Sequence, residues 1–139
     1  NTLRMPDDEE FAGLYNYLFI NGVAIINCHL IQLFNEDKPV EYQEERRRKA
    51  EAFKKAIEEE VSILLDRGAK VLVCGDMNSC TYNPSSLLKV RTHAATFFDS
   101  DGHGYPYDKV ITNIPGGTVS LVMDLWPDFS DHRGLVYRV

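Results

Sequence analysis

A long amphipathic segment between two short apolar runs constrains the fold more than any other feature of this sequence. Residues 23–26 and 71–74 are apolar at successive positions, which is typical of strands buried inside a sheet. Between them, residues 41–67 carry apolar side chains at spacings of three and four, which predicts one long α-helix that ends at Gly68. The apolar stripe is Ala50, Phe53, Ile57, Val61 and Leu64. The sequence therefore predicts an α/β (α+β) fold in which a helix packs on a sheet.

A hairpin is predicted upstream of this unit. Residues 15–20 and 23–27 are prone to form strands, and they flank Asn21-Gly22. This dipeptide favours a type I′ turn, because both central residues of that turn need a positive φ. Residues 1–10 are polar and acidic and predict a loop or approach segment.

The remaining elements are shorter. Residues 85–90 predict a short helix capped by Ser85 or Asn83, and the turn-rich residues 99–106 predict a loop. No repeat, low-complexity tract or linker interrupts the chain, so residues 1–139 are predicted to form a single domain or one lobe of a domain. The predicted C-terminal strands are residues 109–114 and 118–122, joined across 115–117, and residues 135–139.

Composition excludes some classes of protein. With 44% apolar and 11% aromatic residues, the chain can build a packed core. Its net charge of −6 argues against tight nonspecific binding of nucleic acid, which needs a basic face. A nuclease remains possible, because bound divalent cations can supply the positive charge where a phosphate sits.

The cysteines and the hydropathy bear on location. There are three cysteines, and no two of them form a CxxC pair, so a disulfide scaffold or a zinc ribbon is not expected. Free thiols suit a reducing compartment, and an intracellular, cytoplasmic location is predicted. No apolar stretch is long enough to span a membrane.

Polar side chains capable of chemistry stand at the ends of four predicted strands. Because strand ends gather at one edge of a sheet, such residues can meet in one cleft. Hard oxygen ligands select Mg²⁺, and an imidazole can activate water near neutral pH, so this inventory suits phosphoryl chemistry. The candidates are His29, Asp76, Asn78, Asp108, Asp131 and His132.

Each signal also has an ordinary structural explanation. A lone Gly-Asp-x-Asn is often a turn, and a lone Asp-His pair is more often a surface salt bridge or a helix cap. A lone histidine such as His29 is more often a hydrogen-bonded residue at a sheet edge than a catalytic group. His93 and His103 have no spaced partners and are interpreted as surface or loop residues. The order of the signals along the chain favours a functional site.

Four segments in this order resemble the endonuclease/exonuclease/phosphatase superfamily, which includes deoxyribonuclease-I-like and exonuclease-III-like enzymes. The resemblance extends over nearly the whole chain from about Val23. It implies one lobe of a four-layer α/β-sandwich, matching the C-terminal half of the family domain. It also implies divalent-metal-dependent phosphoester hydrolysis by a phosphodiesterase or nuclease, through in-line attack of water on phosphorus. The matching segments are residues 25–30 (IINCHL), 73–79 (VCGDMNS), 107–111 (YDKVI) and 129–133 (FSDHR).

The resemblance implies a role for each candidate catalytic residue. His132 resembles the histidine that acts as general base or as an electrostatic partner of the phosphate. Asp108 resembles the carboxylate that orients this imidazole. Asp76 resembles the residue that orients the attacking water or protonates the leaving oxygen, and Asn78 resembles the amide that holds it and the phosphate in place. His29 resembles a second histidine that contacts a phosphate oxygen.

The resemblance further implies a metal site and a missing part. Asp131 and Asp76 resemble metal-site carboxylates for Mg²⁺ or Mn²⁺. The family's early Asn and its Gln-Glu motif, whose Glu is a principal metal ligand, have no counterpart in residues 1–22. Because this metal ligand is missing, we expect the site to need an N-terminal lobe from the same gene, a cleaved chain or another subunit. A smaller difference is Gly134, which stands where the family often has Pro.

Several alternatives remain open from the sequence alone. The expected substrate is a phosphate ester, in particular nucleic acid, but a phosphatase or a phospholipid-headgroup phosphodiesterase would use similar residues. A lobe that lacks the metal-binding Glu could also serve as a non-catalytic binding or assembly module. A generic α/β domain with chance motif matches is the third reading. The site residues argue against a purely structural role, because a structural role requires none of them.

Overall fold

A computed structural model describes residues 2–4, 14–31, 39–92, 95–123 and 126–138. These residues form ten strands and one helix, so the predicted α+β class is confirmed. The elements in chain order are β1 (Thr2–Arg4), β2 (Leu14–Ile20), β3 (Val23–His29), α1 (Val40–Asp66), β4 (Lys70–Asp76), β5 (Lys89–Arg91), β6 (Phe97–Phe98), β7 (Gly104–Tyr105), β8 (Asp108–Thr112), β9 (Thr118–Val122) and β10 (Gly134–Arg138).

Six strands form the main sheet, in the order β1-β2-β3-β4-β8-β5. β3 and β4 are parallel and are connected through α1, whereas the other neighbouring pairs are antiparallel. In the register, His29 lies opposite Asp76, and Asp76 lies opposite Asp108. The ends of β3 and β4 and the start of β8 therefore fall in one row across the sheet.

The 27-residue helix α1 covers one face of this sheet, as predicted. All five residues of the predicted apolar stripe are buried. Phe53, Ile57 and Val61 belong to the same core cluster as Ile26 and Val73 of the central strands. Burying a side chain of this size contributes roughly 1.5–3 kcal/mol, so this contact is a main source of the fold's stability. In the part of the chain that the structure describes, no helix is long and apolar enough to cross a membrane.

The opposite face of the sheet is only partly covered. Leu18 and Ile20 of β2 are 53% and 45% exposed. Leu18 lies beside Ile25 and Leu72 in the register, so these apolar side chains share the face away from α1. The pair β9 and β10 forms a separate two-stranded sheet, and β10 approaches the main sheet at β8.

Two predictions near the N-terminal end have different outcomes. The hairpin at Asn21-Gly22 is confirmed, with φ values of 51° and 79° at the two turn residues. Residues 2–4 are not a loop, because Thr2–Arg4 pairs with β2. The rest of the predicted loop over residues 1–10 lies outside the described residues.

The predicted short helix over residues 85–90 is wrong. Ser85 and Asn83 cap no helix: the Ser85 hydroxyl accepts the N–H of Leu87, and the Asn83 side chain bonds to residues 85 and 88. The following residues, Lys89–Arg91, pair with the open edge of β8 instead. Local side-chain bonds compete with helix formation at such positions, and sheet pairing then decides the conformation.

The loop predicted over residues 99–106 is shorter than expected, because Gly104–Tyr105 pairs with Phe97–Phe98. The strands predicted over residues 109–114 and 118–122 exist, as β8 and β9, but they lie in different sheets. All three cysteines are free, as expected.

Candidate functional site

A carboxylate and an imidazole from distant segments form the centre of the site. Nδ1 of His132 lies 2.7 Å from Oδ2 of Asp108, a short hydrogen bond between residues that are 24 positions apart. Asp108 is the first residue of β8, and His132 precedes β10. Both side chains are more than half buried. This bond directs Nε2, the other ring nitrogen, towards the rest of the site.

Asp76, the last residue of β4, lies between two imidazoles. Its Oδ2 atom is 3.6 Å from Nε2 of His132 and 3.5 Å from Nε2 of His29. The side chain of Asp76 is 16% exposed, whereas that of His29 is 63% exposed. Asp108, His132, Asp76 and His29 therefore form a continuous chain of alternating carboxylates and imidazoles that ends at the exposed His29.

Asn78 fixes the loop that follows β4. Its backbone N–H donates to Oδ1 of Asp76 at 2.8 Å, and its side-chain amide donates to the Leu30 carbonyl at 2.7 Å. The φ of Asn78 is +44°, a left-handed conformation that Asn tolerates better than most residues. One amide hydrogen of Asn78 is thus committed to tying the end of β4 to the end of β3.

A glycine makes this close approach possible. Gly75 has φ +130°, and a Cβ atom there would lie 2.0 Å from the carbonyl oxygen of Cys28. Any larger residue would push β3 and β4 apart one position before Asp76. The glycine of the Gly-Asp-x-Asn pattern therefore has a structural reason, the close approach of β3 and β4.

Asp131 lies at the open side of the site. Its side chain is 68% exposed, and Oδ1 is 3.9 Å from Nε2 of His132. The structure thus brings together His29, Asp76, Asp108, Asp131 and His132 directly, and Asn78 through its bond to Asp76. His103 is 72% exposed beside Asp99 in the turn between β6 and β7, apart from this cluster, and His93 lies outside the described residues.

The electrostatics of the cluster favour proton transfer. Burial lowers the pKa of the His132 imidazole, but the hydrogen bond and charge of Asp108, with the charges of Asp76 and Asp131, outweigh burial and raise it above its usual value. Burial also raises the pKa of the Asp76 carboxyl, opposed in part by the N–H of Asn78. Both groups hold a proton more readily than they would in water.

Sequence reasoning missed an aromatic wall beside the imidazole. The Phe97 ring lies 4.9 Å from the His132 ring, and it stacks on Tyr107 at 5.4 Å with an interplanar angle of 13°. Tyr105 stacks on Tyr107 in turn, at 5.2 Å. The available signal was the aromatic pair Phe97-Phe98, but a two-residue strand is too short to stand out in a sequence.

The donor atoms fit a hard divalent cation. Ligand atoms of Asp76, Asp108 and His132 all lie within 4.8 Å of one another. The exposed carboxylate of Asp131, whose Oδ1 lies 3.9 Å from Nε2 of His132, is a further oxygen donor beside this group. Carboxylate oxygens are the ligands that Mg²⁺ prefers.

Comparison of the sequence with protein-family models and with curated protein sequences finds no match. Solved structures of similar fold exist, and they belong to the endonuclease/exonuclease/phosphatase superfamily, so the resemblance noted in the sequence is confirmed at the level of the fold. One is the 3′ phosphatase NExo from Neisseria bound to product DNA hairpin, with 18% identity and a TM-score of 0.68, covering 99% of this chain and 71% of that chain.

Two further structures are of TDP2. The truncated Caenorhabditis elegans protein has 15% identity and a TM-score of 0.64, covering 97% of this chain and 62% of that chain. The D. rerio protein complexed with single strand DNA product has 13% identity and a TM-score of 0.53, covering 100% and 66% of the two chains. The present chain thus spans about two thirds of the length of these structures.

Replacing Asp108 with Asn should lower the pKa of His132 in the metal-free protein, because the imidazolium loses its hydrogen-bonded carboxylate. The raised pKa stabilises the folded protein below the ordinary histidine pKa, and this stabilisation is lost as pH rises through the folded-state pKa. NMR titration of the His132 ring protons tests the shift. Asp99→Asn, beside His103, is the matched control and should leave His132 unchanged; an equal His132 pKa in Asp108→Asn would contradict the assignment.

Proposed function

We propose that this chain carries the catalytic residues of a divalent-metal-dependent phosphoesterase, a phosphodiesterase or nuclease that acts by in-line attack of water on phosphorus. The observation that carries the proposal is the chain of contacts Asp108–His132–Asp76–His29, with no step longer than 3.6 Å. A purely structural edge of a sheet has no need of two imidazoles alternating with two carboxylates, three of the four at least half-buried.

His132 is the proposed general base. Its Nδ1–H donates to Asp108, which fixes the tautomer and leaves the Nε2 lone pair free on the side of Asp76. The raised pKa of the imidazole strengthens it as a proton acceptor. Nε2 can then accept a proton from a water molecule held beside it while that water attacks phosphorus.

Asp76 is the proposed partner in proton transfer. Its raised pKa, caused first by burial, allows it to orient the attacking water or to deliver a proton to the leaving oxygen. The Asn78 N–H holds one carboxylate oxygen in place, so the other remains directed at the two imidazoles. His29, at the exposed end, is the proposed contact of a phosphate oxygen.

Asp131 and Asp76 would hold the Mg²⁺ or Mn²⁺ ion. When bound, the ion neutralises negative charge that develops on the phosphoryl oxygens. The protein contributes the carboxylates and the orientation of His132. A cation also accounts for how a chain of net charge −6 could accept an anionic substrate.

The proposed substrate is a phosphate ester in nucleic acid. The Neisseria and D. rerio structures of similar fold hold DNA products, which supports this choice of substrate. Since the Neisseria protein is described as a 3′ phosphatase, a phosphomonoester at a nucleic-acid end is the second candidate substrate. The three free thiols support a reducing, intracellular location.

A further N-terminal lobe is part of the proposal. Leu18 and Ile20 form an apolar strip on the sheet face away from α1. Exposed apolar faces of this kind favour association with another surface. The present chain covers only 62% of the Caenorhabditis elegans structure, which is consistent with a partner lobe.

Removal of divalent metal should abolish hydrolysis. EDTA treatment is expected to stop cleavage of a fluorescent DNA oligonucleotide and of a small phosphodiester, and Mg²⁺ or Mn²⁺ should restore cleavage. The reason is that the negative charge of the transition state needs a cation, which the anionic carboxylates cannot replace. Zn²⁺-free buffers and a chelator-only blank control for trace metal. Hydrolysis that persists in EDTA would exclude the proposed chemistry.

His132→Ala should lower turnover by about 10²-fold or more, because general-base assistance is lost. His103→Ala is the matched control, an exposed histidine outside the cluster, and should leave turnover unchanged. Asp108→Asn combined with His132→Ala should cost little more than His132→Ala alone, since Asp108 acts through the same imidazole. Turnover at the wild-type level in His132→Ala would refute the assignment.

The isolated 139-residue chain should self-associate or show weak activity, because its uncovered sheet face lacks a partner. Light scattering after size-exclusion chromatography measures self-association, and Mg²⁺-dependent hydrolysis measures activity. Leu18→Lys with Ile20→Lys should reduce association, whereas Ile63→Lys, at an apolar residue 46% exposed on α1, should not, because α1 covers the opposite face of the sheet. A monomeric and fully active chain would contradict the need for a second lobe.

A further inference from the structure

Thr96 is a completely buried polar residue beside the site that the proposed mechanism does not use. Its exposed fraction is 0%, and it directly precedes β6. A buried hydroxyl costs stability unless it is hydrogen-bonded. The partners of Thr96 therefore indicate what it is there to hold.

The first set of partners lies on the Asp108 side. The Thr96 hydroxyl oxygen accepts the backbone N–H of Asp108 at 3.0 Å and donates to the Tyr105 carbonyl at 3.5 Å. The backbone N–H of Thr96 donates to the same carbonyl at 3.0 Å. One side chain thus fixes the first residue of β8, from which the Asp108 carboxylate projects.

The second set lies on the His132 side. The Thr96 carbonyl accepts the N–H of Arg133 at 2.6 Å. The next residue, Phe97, forms a backbone bridge with His132 and packs its ring on the imidazole. Phe98 donates its N–H to the carbonyl of Asp131 at 3.2 Å. Residues 96–98 thus hold all three residues 131–133.

We propose that Thr96 is a positioning residue that sets the separation of Asp108 and His132. It contacts the backbone on both sides of the pair: the N–H of Asp108 through its hydroxyl, and the N–H of Arg133 through its carbonyl. Asp108 and His132 lie 24 residues apart, and His132 is outside the sheet that contains Asp108, so a residue that bonds to both segments fixes their distance. This inference rests on the proposed function.

The hydroxyl is the part of Thr96 that a substitution can remove without changing its shape. Valine keeps the volume and the β-branch but leaves the buried N–H of Asp108 without an acceptor. Serine keeps the acceptor and loses only a methyl group. A residue that merely fills space would tolerate valine better than serine, and a positioning hydroxyl gives the opposite order.

Thr96→Val should lower kcat by about 10-fold or more and change KM less than about 3-fold. Displacing Asp108 relative to His132 impairs the chemical step rather than substrate binding. Thr96→Ser should keep kcat within about 3-fold of wild type by retaining the hydroxyl acceptor. The control is Thr112→Val at the other end of β8, a threonine 1% exposed whose hydroxyl donates to Val71 and accepts the N–H of Ile114. It should lower the unfolding midpoint without changing kcat.

A second readout needs no hydrolysis. In Thr96→Val, the NMR resonance of the His132 Nδ1–H should shift or broaden and the Asp108 amide should exchange faster, while both stay near wild type in Thr96→Ser and Thr112→Val. If valine proves too unstable, Thr96→Ala replaces it in the comparison with serine. The inference is overturned if the valine variant keeps wild-type kcat and Nδ1–H signal, or if valine and serine lose kcat equally.

The two readouts separate the two proposals. A folded wild-type protein, joined to its N-terminal lobe, that hydrolyses no phosphate ester refutes the proposed function, and the NMR comparison still decides whether Thr96 holds the pair. Hydrolysis that depends on His132 but is insensitive to Thr96→Val refutes the positioning role alone.

Discussion

The register of β3, β4 and β8 is the constraint on which the site depends. It places His29, Asp76 and Asp108 in one row, on the sheet face away from α1. A shift of one residue in β4 would turn Asp76 towards the helix and Val73 towards solvent. Because Val73 is completely buried against α1, such a shift would lose apolar contact and bury a charge at once. The hydrophobic core therefore fixes the register that brings the site residues together.

The site combines several negatively charged carboxylates with two groups whose pKa is raised. The His132 imidazole and the Asp76 carboxyl both have a raised pKa, the first through its carboxylate neighbours and the second through burial. The same carboxylates that raise the imidazole pKa concentrate negative charge at the open side, where Asp131 lies. A cation bound there would relieve that repulsion, so the proposed metal binding and acid–base catalysis are compatible with an acidic chain.

Elements with strong local signals could be predicted from the sequence. The helix α1 follows from its apolar period, and the hairpin follows from Asn21-Gly22, since both signals act over a few residues. Residues 85–91 show the limit. Asn83 and Ser85 carry capping chemistry, yet the chain there turns and pairs with the edge of β8, a partner about 20 residues away along the sequence. The segment 96–98 could not be predicted for a similar reason, because its bonds join it to Asp108 and to residues 131–133, which are distant in the sequence.

The sequence by itself determined which side chains are available, in what order, and which of them end strands. Only the tertiary structure decided that they meet: Asp76 joins His29 across 47 residues of chain and His132 across 56, and Thr96 bonds to both sides of the dyad. The physical reason is that a residue's chemistry is local, whereas distances between strands depend on ladder hydrogen bonds and core packing that form only when the whole sheet assembles.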